Sequence, residues 1–557
     1  MPDQTARLAE PRVIGLVGTI PRGLRQRIVG EHPGWVEHEL ADPHLLLLSR
    51  GRTHSWTGPG ARGIHWSGQG QAGPVSGWQQ AMHETVAVGV AVTADEVVLH
   101  TSSWGNQALY VAWLDSTTLA FSTTSEALLD LLEGPLDPDW DAWASILTSN
   151  NPINGRTPFL QVRRLRGGEH HRLDVTTGTF STGLDAHRFI SEERSPAAPG
   201  EIVDGLRTAL TEHPVLAEGA PDGDYLASLP LTGGWDSRLL GAIAGEQFGP
   251  EAFLALTTSK HTENVDPDVT YATTLAQLLG MTQEIIHPDR SANPAYTART
   301  MALLEYESWE HSWFGPAAGV LMARGLPVID GFAGDTQLKN AYANRRLFTA
   351  EPADVSDELW RKLDRRPALG LPGATESVRD ELEQRMRPDV EASRQGVEGH
   401  PNEGRIAVLR SRIMSGVGLA PFKLLATGVE VVTPFLHPAV TSATMSIPAE
   451  AKASGALSRQ VLEAAMPGLS SLPSTNDPGA MAARGRRRTN GPEARAWTAE
   501  RLGVLDRFIG HGFTAEDVED LHGKPADAWR HRLIQLSCWL EAYESRLSST
   551  TPPWWGR

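Results

Sequence analysis

The rhythm of the chain changes once, and that change limits its fold more than any other feature. From Val13 to about Phe180, short apolar stretches are broken by turns: Val13 to Gly18, Thr85 to Val90, Glu96 to His100, Leu109 to Trp113 and Leu119 to Ser122. Frequent β-branched residues and closely spaced turn signals predict strands of an antiparallel sandwich, with a helix after them at Ser125 to Leu132. Beyond Ser195-Pro196-Ala197-Ala198-Pro199-Gly200, which has linker chemistry, an amphipathic helix is expected at Glu201 to Leu210. Strand and helix then alternate, the sign of a parallel sheet with crossover helices. The expected organisation is a β sandwich over residues 1–194 and an α/β domain over 201–557.

A chain of 557 residues is too long for one ordinary core, so at least two domains are expected. With 40% hydrophobic and 21% charged residues, its composition is that of a globular enzyme. A net charge of -17 argues against gripping nucleic acid, which draws on a surplus of Lys and Arg, and suits a cationic peptide better. The single cysteine, Cys538, forms no internal disulfide and reads as a buried helix thiol. Met1 to Val13 lacks the apolar stretch of a signal peptide, and no run approaches the roughly 18 residues a membrane span needs. A cytoplasmic protein without membrane contact is therefore expected.

In the second half, a strand from Tyr225 to Leu231 leads into a turn at Thr232-Gly233-Gly234 and a helix from about Asp236 to Gly245. Pro230 belongs at the end of that strand, since it cannot donate to a sheet ladder. Ala252 to Thr257 is the next strand, and Asp266-Pro267 opens a helix to Leu279 with Asp as N-cap. Glu284 to His287 reads as a strand and Met301 to Ala323 as a helix. The strand Leu326 to Asp330 then ends in Gly331-Phe332-Ala333-Gly334-Asp335. Glu351 to Ser415 is largely helical in pattern.

A Gly-Gly turn between a buried strand and a helix lets backbone N–H groups converge on an anion, with the helix dipole adding positive charge. Here the turn carries the hydroxyls of Thr232 and Ser237, but also the carboxylate of Asp236, the wrong charge for phosphate. Mg²⁺, which takes oxygen ligands beside substrate phosphates, resolves that conflict. The turn ending at Asp335 repeats the logic, and both sit at carboxyl ends of predicted parallel strands, where open α/β sheets bind ligands. Asp236 and Asp335 are thus expected to hold one Mg-nucleotide.

These residues resemble the asparagine-synthetase superfamily. Leu231-Thr232-Gly233-Gly234-Trp235-Asp236-Ser237 is similar to its pyrophosphate loop, with Thr for the first Ser, and Gly331 to Asp335 to its second nucleotide loop. Pro434-Phe435-Leu436-His437 is similar to its Pro-Phe-Leu-Asp motif, with His for the acid. In the first half, Ile14 to Gly18 is similar to the Cys-Gly-Ile opening of a glutaminase domain, and Arg164 to His170 to its Leu-Pro-Pro-Gly-His turn. The resemblance implies a glutaminase-like (Ntn-type) sandwich and a doubly wound PP-loop ATP pyrophosphatase domain. It implies ATP and Mg²⁺ as cofactors, with catalytic Asp236, Ser237 and Asp335. Nucleotide contacts would come from Leu231, Thr232, Gly233, Gly234, Asp236, Ser237, Leu256, Asp330, Gly331 and Phe332.

The departures sharpen that implication. The glutaminase nucleophile is a cysteine, and here Ile14 precedes the glycine, so ammonia from glutamine is not expected. The amine would come from the substrate, as in the ring-closing branches. β-Lactam synthetases use a Tyr where this chain has Phe332, which cannot relay a proton. Thr-Gly-Gly-x-Asp-Ser-Arg with Arg238, and Leu472 to Asp477, resemble lasso-peptide macrolactam cyclases. This implies a precursor peptide as substrate, with a leader-binding protein and a leader protease as partners. The family's transition-state Lys is expected near Leu472 to Arg488, where this chain has none; Arg484, Arg486, Arg487 and Arg488, or the remote Lys452, are the alternatives. His170 and His171 read as turn residues, and Trp309, Glu310, His311 and Trp313 as a helix leading toward the second loop. A small-molecule amide or β-lactam synthetase and a non-catalytic peptide-binding member remain the competing expectations.

Overall fold

The computed structural model describes residues 12–40, 43–51, 53–67, 78–79, 88–185, 195–219, 225–259, 266–289, 291–310, 314–339, 346–347, 350, 353–363, 376–425, 429–477, 480, 491–523 and 527–555. The Arg484 to Arg488 stretch, His311, Trp313 and the start of the expected strand at Thr85 lie outside them.

Two six-stranded sheets occupy the first part of the chain. The first runs, edge to edge, through Val162–Arg164, Tyr110–Trp113, Thr118–Ser122, Val13–Gly18, Leu45–Ser49 and Val36–Glu37. The second runs through Thr179–Leu184, Glu169–Asp174, Glu96–His100, Val88–Thr93, Ala61–Ser67 and His54–Gly58. Every pairing in both is antiparallel. Alternation explains the sandwich: Val13, Val17, Leu45 and Leu47 point inward to meet Ile64, Val90, Val97 and Leu99 of the second sheet. The intervening Ile14, Leu16, Leu46 and Leu48 point the other way and are also buried. That second face is covered by Trp143, Ile146 and Leu147 of the helix Trp140–Ser149 and by the helix Asp527–Tyr543, which carries Trp539. The apolar core thus runs without interruption from the amino-terminal sheets into the last long helix.

The third sheet has five parallel strands in the order Thr282–Ile286, Phe253–Thr258, Ala227–Pro230, Val328–Ile329 and Val431–Val432. Pro230 is the last residue of the central strand, where its missing N–H is harmless. Succeeding strands are added first on one side of Ala227–Pro230 and then on the other. The order therefore reverses between Ala227–Pro230 and Val328–Ile329, and both Gly-rich turns follow these two neighbours. The chain is a mixed α/β protein with antiparallel sheets and one parallel sheet. No helix among the described residues is long and apolar enough to cross a membrane.

Three expectations are corrected. His170 and His171 are strand residues of Glu169–Asp174, His170 pairing with His100, because the strand continues the apolar alternation through Leu173. The single helix expected over Met301 to Ala323 is two, Asn293–Leu303 and Gly315–Arg324. The break falls at Glu305 and Tyr306, whose φ angles of 53° and 58° no right-handed helix accommodates. Trp309 and Glu310 lie in the connection rather than on a helix: Trp309 stacks on His531 at 4.1 Å and Glu310 pairs with Arg412.

What holds that break in place is a buried polar network. Tyr110 Oη donates to Glu307 Oε1 at 2.6 Å, and Arg164 Nη1 lies 3.1 Å from Glu307 Oε2. Glu305 accepts from Ser125 Oγ at 2.9 Å and from the Glu126 N–H at 3.0 Å, and pairs with Lys423. The network joins the antiparallel sheet to the connection that precedes the second loop. Glu307→Ala, by leaving Arg164 and Tyr110 buried without their acceptor, should destabilise the fold by about 3–5 kcal/mol. The check is calorimetry: a markedly lower Tm is expected, and a wild-type Tm would show that the network contributes little.

Candidate functional site

The central strand ends on hydrogen bonds that aim the first turn. Leu231 N–H donates to Leu256 O at 2.9 Å, and Thr257 Oγ1 donates to Leu231 O at 2.9 Å. After the turn, the helix Trp235–Phe248 begins, with Asp236 in its first turn. Next door, Val328–Ile329 runs into Asp330 and Gly331, then Ala333 in the left-handed region (φ 68°), then the short helix Gly334–Leu338. The two turns touch. A Cβ on Gly334 would lie 2.9 Å from Asp236 Cβ and 2.7 Å from the Phe435 ring, so only glycine permits this approach.

Between the turns opens a cleft of about 260 Å³. Of the expected residues, Thr232, Gly234, Asp236, Ser237, Asp330, Gly331, Phe332 and Asp335 line it. Leu231, Gly233 and Leu256 do not: Leu231 and Leu256 are packed in the apolar cores, and Gly233 lies under Thr475, whose Cγ2 would meet an added Cβ at 2.6 Å. The far wall is apolar, formed by Phe314, Ile413, Val417, Ala420 and Pro421. Ile413 and Val417 belong to a π-helix, Leu409–Val417, a wide-turn geometry that recurs at functional sites.

Two carboxylates meet at the polar end. Asp335 is pushed above the ordinary aspartate range by burial and then by the charge of Asp236, with Lys339 opposing. Its carboxylate accepts from Thr336 Oγ1 at 3.0 Å. Asp236 Oδ2 accepts from Lys339 Nζ at 3.1 Å, while Asp236 Oδ1 is buried without a hydrogen-bond partner. Asp330 is pushed up to about 6 by burial, its Oδ1 accepting the Phe332 N–H at 2.8 Å.

The expected cradle of loop N–H groups is different in detail. Thr232 N–H donates to Ser237 Oγ at 3.1 Å, Gly233 N–H to Asp268 Oδ1 at 3.2 Å and Gly234 N–H to Thr232 Oγ1 at 3.2 Å. The hydroxyls and a carboxylate from the next helix already satisfy the turn. Asp268 is an addition to the expected residues, and its only signal in the sequence is its place beside the Asp266 N-cap.

Lys339 is a second addition, four positions after Asp335 and one of few lysines. Lys339 also donates to Asn476 Oδ1 at 3.2 Å. Asn476 is placed by Arg238, which is buried and donates to the carbonyls of Leu469, Leu472 and Pro473 at 3.2, 2.8 and 2.7 Å. Ser474 Oγ and the Thr475 N–H then both bond Gly233 O, at 2.9 and 3.0 Å. The two separately noticed features, Arg238 and Leu472 to Asp477, are therefore one strap over the first turn. Lys452 is fully buried, donating to Thr444 O and Asn402 Oδ1, and burial holds its pKa far below the usual lysine range. It has no access to the cleft. His437 caps the helix Pro438–Met445 through its ring, the Ala439 N–H donating to Nδ1 at 3.3 Å, and burial pushes its pKa down to about 4. Neutral imidazole thus serves as an N-cap acceptor.

No family model matches the chain, and no curated protein matches it. Among solved structures, one described as the allosteric regulatory enzyme of purine biosynthesis is similar over 51% of this chain and 78% of its own, at 9% identity. The TM-score of 0.19 is too low to support a statement about shared fold or activity.

Asp330 allows a stability test of the cleft's desolvation. Its folded-state value of about 6 exceeds the ordinary 3.8, so its protonation favours the folded chain; that contribution is complete below about 3.8 and is lost as pH rises through about 6. Asp330→Asn should therefore raise Tm at pH 7.5 and leave it nearly unchanged at pH 4, as read by differential scanning calorimetry. An equal shift at both pH values would contradict a buried, charged Asp330.

Proposed function

We propose that the chain is an AMP-forming carbon–nitrogen ligase that adenylates an Asp or Glu side-chain carboxylate of a precursor peptide and joins it to the peptide's own N-terminal amine. The observation that carries this reading is the meeting of Asp236 and Asp335 in one cleft at the reversal point of a parallel sheet. A buried, unpartnered Asp236 Oδ1 beside a second carboxylate fits an oxygen-loving divalent cation, which Asp236 and Asp335 would hold. Mg²⁺ so bound would offset charge on the nucleotide phosphates.

The remaining work falls to the chain's own groups. Thr232 and Ser237 present hydroxyls at the mouth of the first turn, and the Arg238 strap keeps that turn closed from behind. In the first step a substrate carboxylate oxygen bonds the α-phosphorus while the bond to the β-phosphate oxygen breaks and pyrophosphate leaves. In the second, the amine nitrogen bonds the acyl carbon and AMP leaves with the electrons of the carbon–oxygen bond. Phe332 can take no proton from the amine; Asp330, lining the same cleft and ionised above about pH 6, can. The apolar wall also helps exclude water, which would otherwise hydrolyse the adenylate.

ATP–pyrophosphate exchange dependent on an Asp- or Glu-containing peptide is the test. Asp236→Ala should reduce exchange at least about a hundredfold, and exchange retained in that variant would refute the assignment. Product formed only when ammonia or a free amino acid is added would point to intermolecular amide synthesis.

A further inference from the structure

Lys339 is a cation that the motifs do not account for. It sits at the end of the short helix Gly334–Leu338, with its Nζ between Asp236 Oδ2 and Asn476 Oδ1 and 5.6 Å from the centre of the Trp235 ring. Its side chain is 15% exposed, so it is reachable from solvent without leaving the site. Arg459 approaches the same Trp235 ring at 5.1 Å, and the first turn is thus bordered by two positive groups.

Two features set this apart from an ordinary structural ion pair. The first is the state of the turn: the N–H groups of Thr232, Gly233 and Gly234 are all bonded to Ser237, Asp268 and Thr232 side chains. A phosphate arriving at the turn therefore finds little backbone donor capacity and two carboxylates. The positive charge it needs must come from elsewhere. The second is the asymmetry of Asp236, which gives one oxygen to Lys339 and keeps the other buried and unpartnered. A metal ion and Lys339 would compete for the same carboxylate, and a lysine on a flexible four-carbon stem can change partners readily.

We propose that Lys339 is a ligand of the leaving pyrophosphate: it neutralises Asp236 in the resting protein and passes to the phosphate oxygens when a divalent cation takes its place on that carboxylate. Asn476, held by the Arg238 strap, is the neutral partner that keeps the ammonium beside the turn during the exchange. The inference rests on the nucleotide reading above. It assigns the phosphate-facing charge to the residue that caps the second loop's own helix, and not to the buried Lys452.

Titration calorimetry on the full chain tests it, with Mg²⁺ alone and with pyrophosphate in the presence of Mg²⁺. Lys339→Met should weaken Mg-pyrophosphate binding roughly 10- to 100-fold, while Mg²⁺ alone binds as tightly as before or more tightly because its competitor on Asp236 is gone. Lys339→Arg should stay within about threefold of wild type for pyrophosphate. Lys339→Gln carries the same expectation as Lys339→Met and takes its place if that variant does not fold. Unchanged pyrophosphate binding in the uncharged variants, or an equal loss for Mg²⁺ alone, would make Lys339 a structural partner of Asp236 and overturn the assignment. MgATP binding that Asp236→Ala abolishes while Lys339→Met leaves it intact would sink this inference alone. A wild-type chain that binds neither MgATP nor Mg-pyrophosphate would bring down the nucleotide reading with it.

Discussion

Two part-buried carboxylates that share one cleft at the end of a parallel sheet repel each other, and the surrounding structure is arranged around that conflict. Asp236 is carried by the first turn of one helix and Asp335 by the first turn of another, and only glycine at position 334 lets the two backbones come close enough. Lys339 supplies the compensating charge, and the strap held by Arg238 supplies Asn476 to steady it. Removing Lys339 leaves the charge of the two carboxylates uncompensated in a half-buried cleft, where electrostatic interactions are stronger than in water.

The position of that cleft depends on contacts far from it. The connection Glu305 to Glu307 adopts left-handed backbone at Glu305 and Tyr306, a conformation that persists only where neighbours hold it. Here the neighbours are Tyr110 and Arg164 of the antiparallel sheet, Ser125 of the short helix Ser125–Leu129 and Lys423 of the helix Leu419–Leu425. That last helix also contributes Ala420 and Pro421 to the cleft wall. The antiparallel sheets are therefore a support for the site even though none of their residues lines it. Trp143 of the helix Trp140–Ser149, which covers the first sheet, and Phe159 contact Trp539 of the last long helix and extend that support.

Much of this was legible in the residues. Strands such as Val13–Gly18 and Glu96–His100 follow from alternation and β-branching, and both Gly-rich turns from their position between an apolar strand and a helix. The N-cap at Asp266 was readable because the signal is local: its side chain accepts from the Asp268 N–H at 3.0 Å. Elsewhere local signals misled. His170 and His171 read as a turn because histidine has no strong strand preference, while their pairing with the strand Glu96–His100 is a long-range matter. Within Met301 to Ala323 the residues alone do not show that Glu305 and Glu307 are buried where the helix breaks, because the cost of burying them is met only by partners distant in sequence.

By itself, the sequence determined that antiparallel strands come first and a parallel sheet follows, and it determined the pair of Gly-Asp turns, since each of these is written within a dozen neighbouring residues. Tertiary structure alone decided that the turns adjoin, that the loop N–H groups are already bonded, that Asp268 and Lys339 belong to the site, and that Lys452 does not. The physical reason is range. Backbone propensity and hydrophobic period act between near neighbours, whereas charge compensation and desolvation depend on which groups packing brings together, and Lys339 and Asn476 meet across 137 positions of chain.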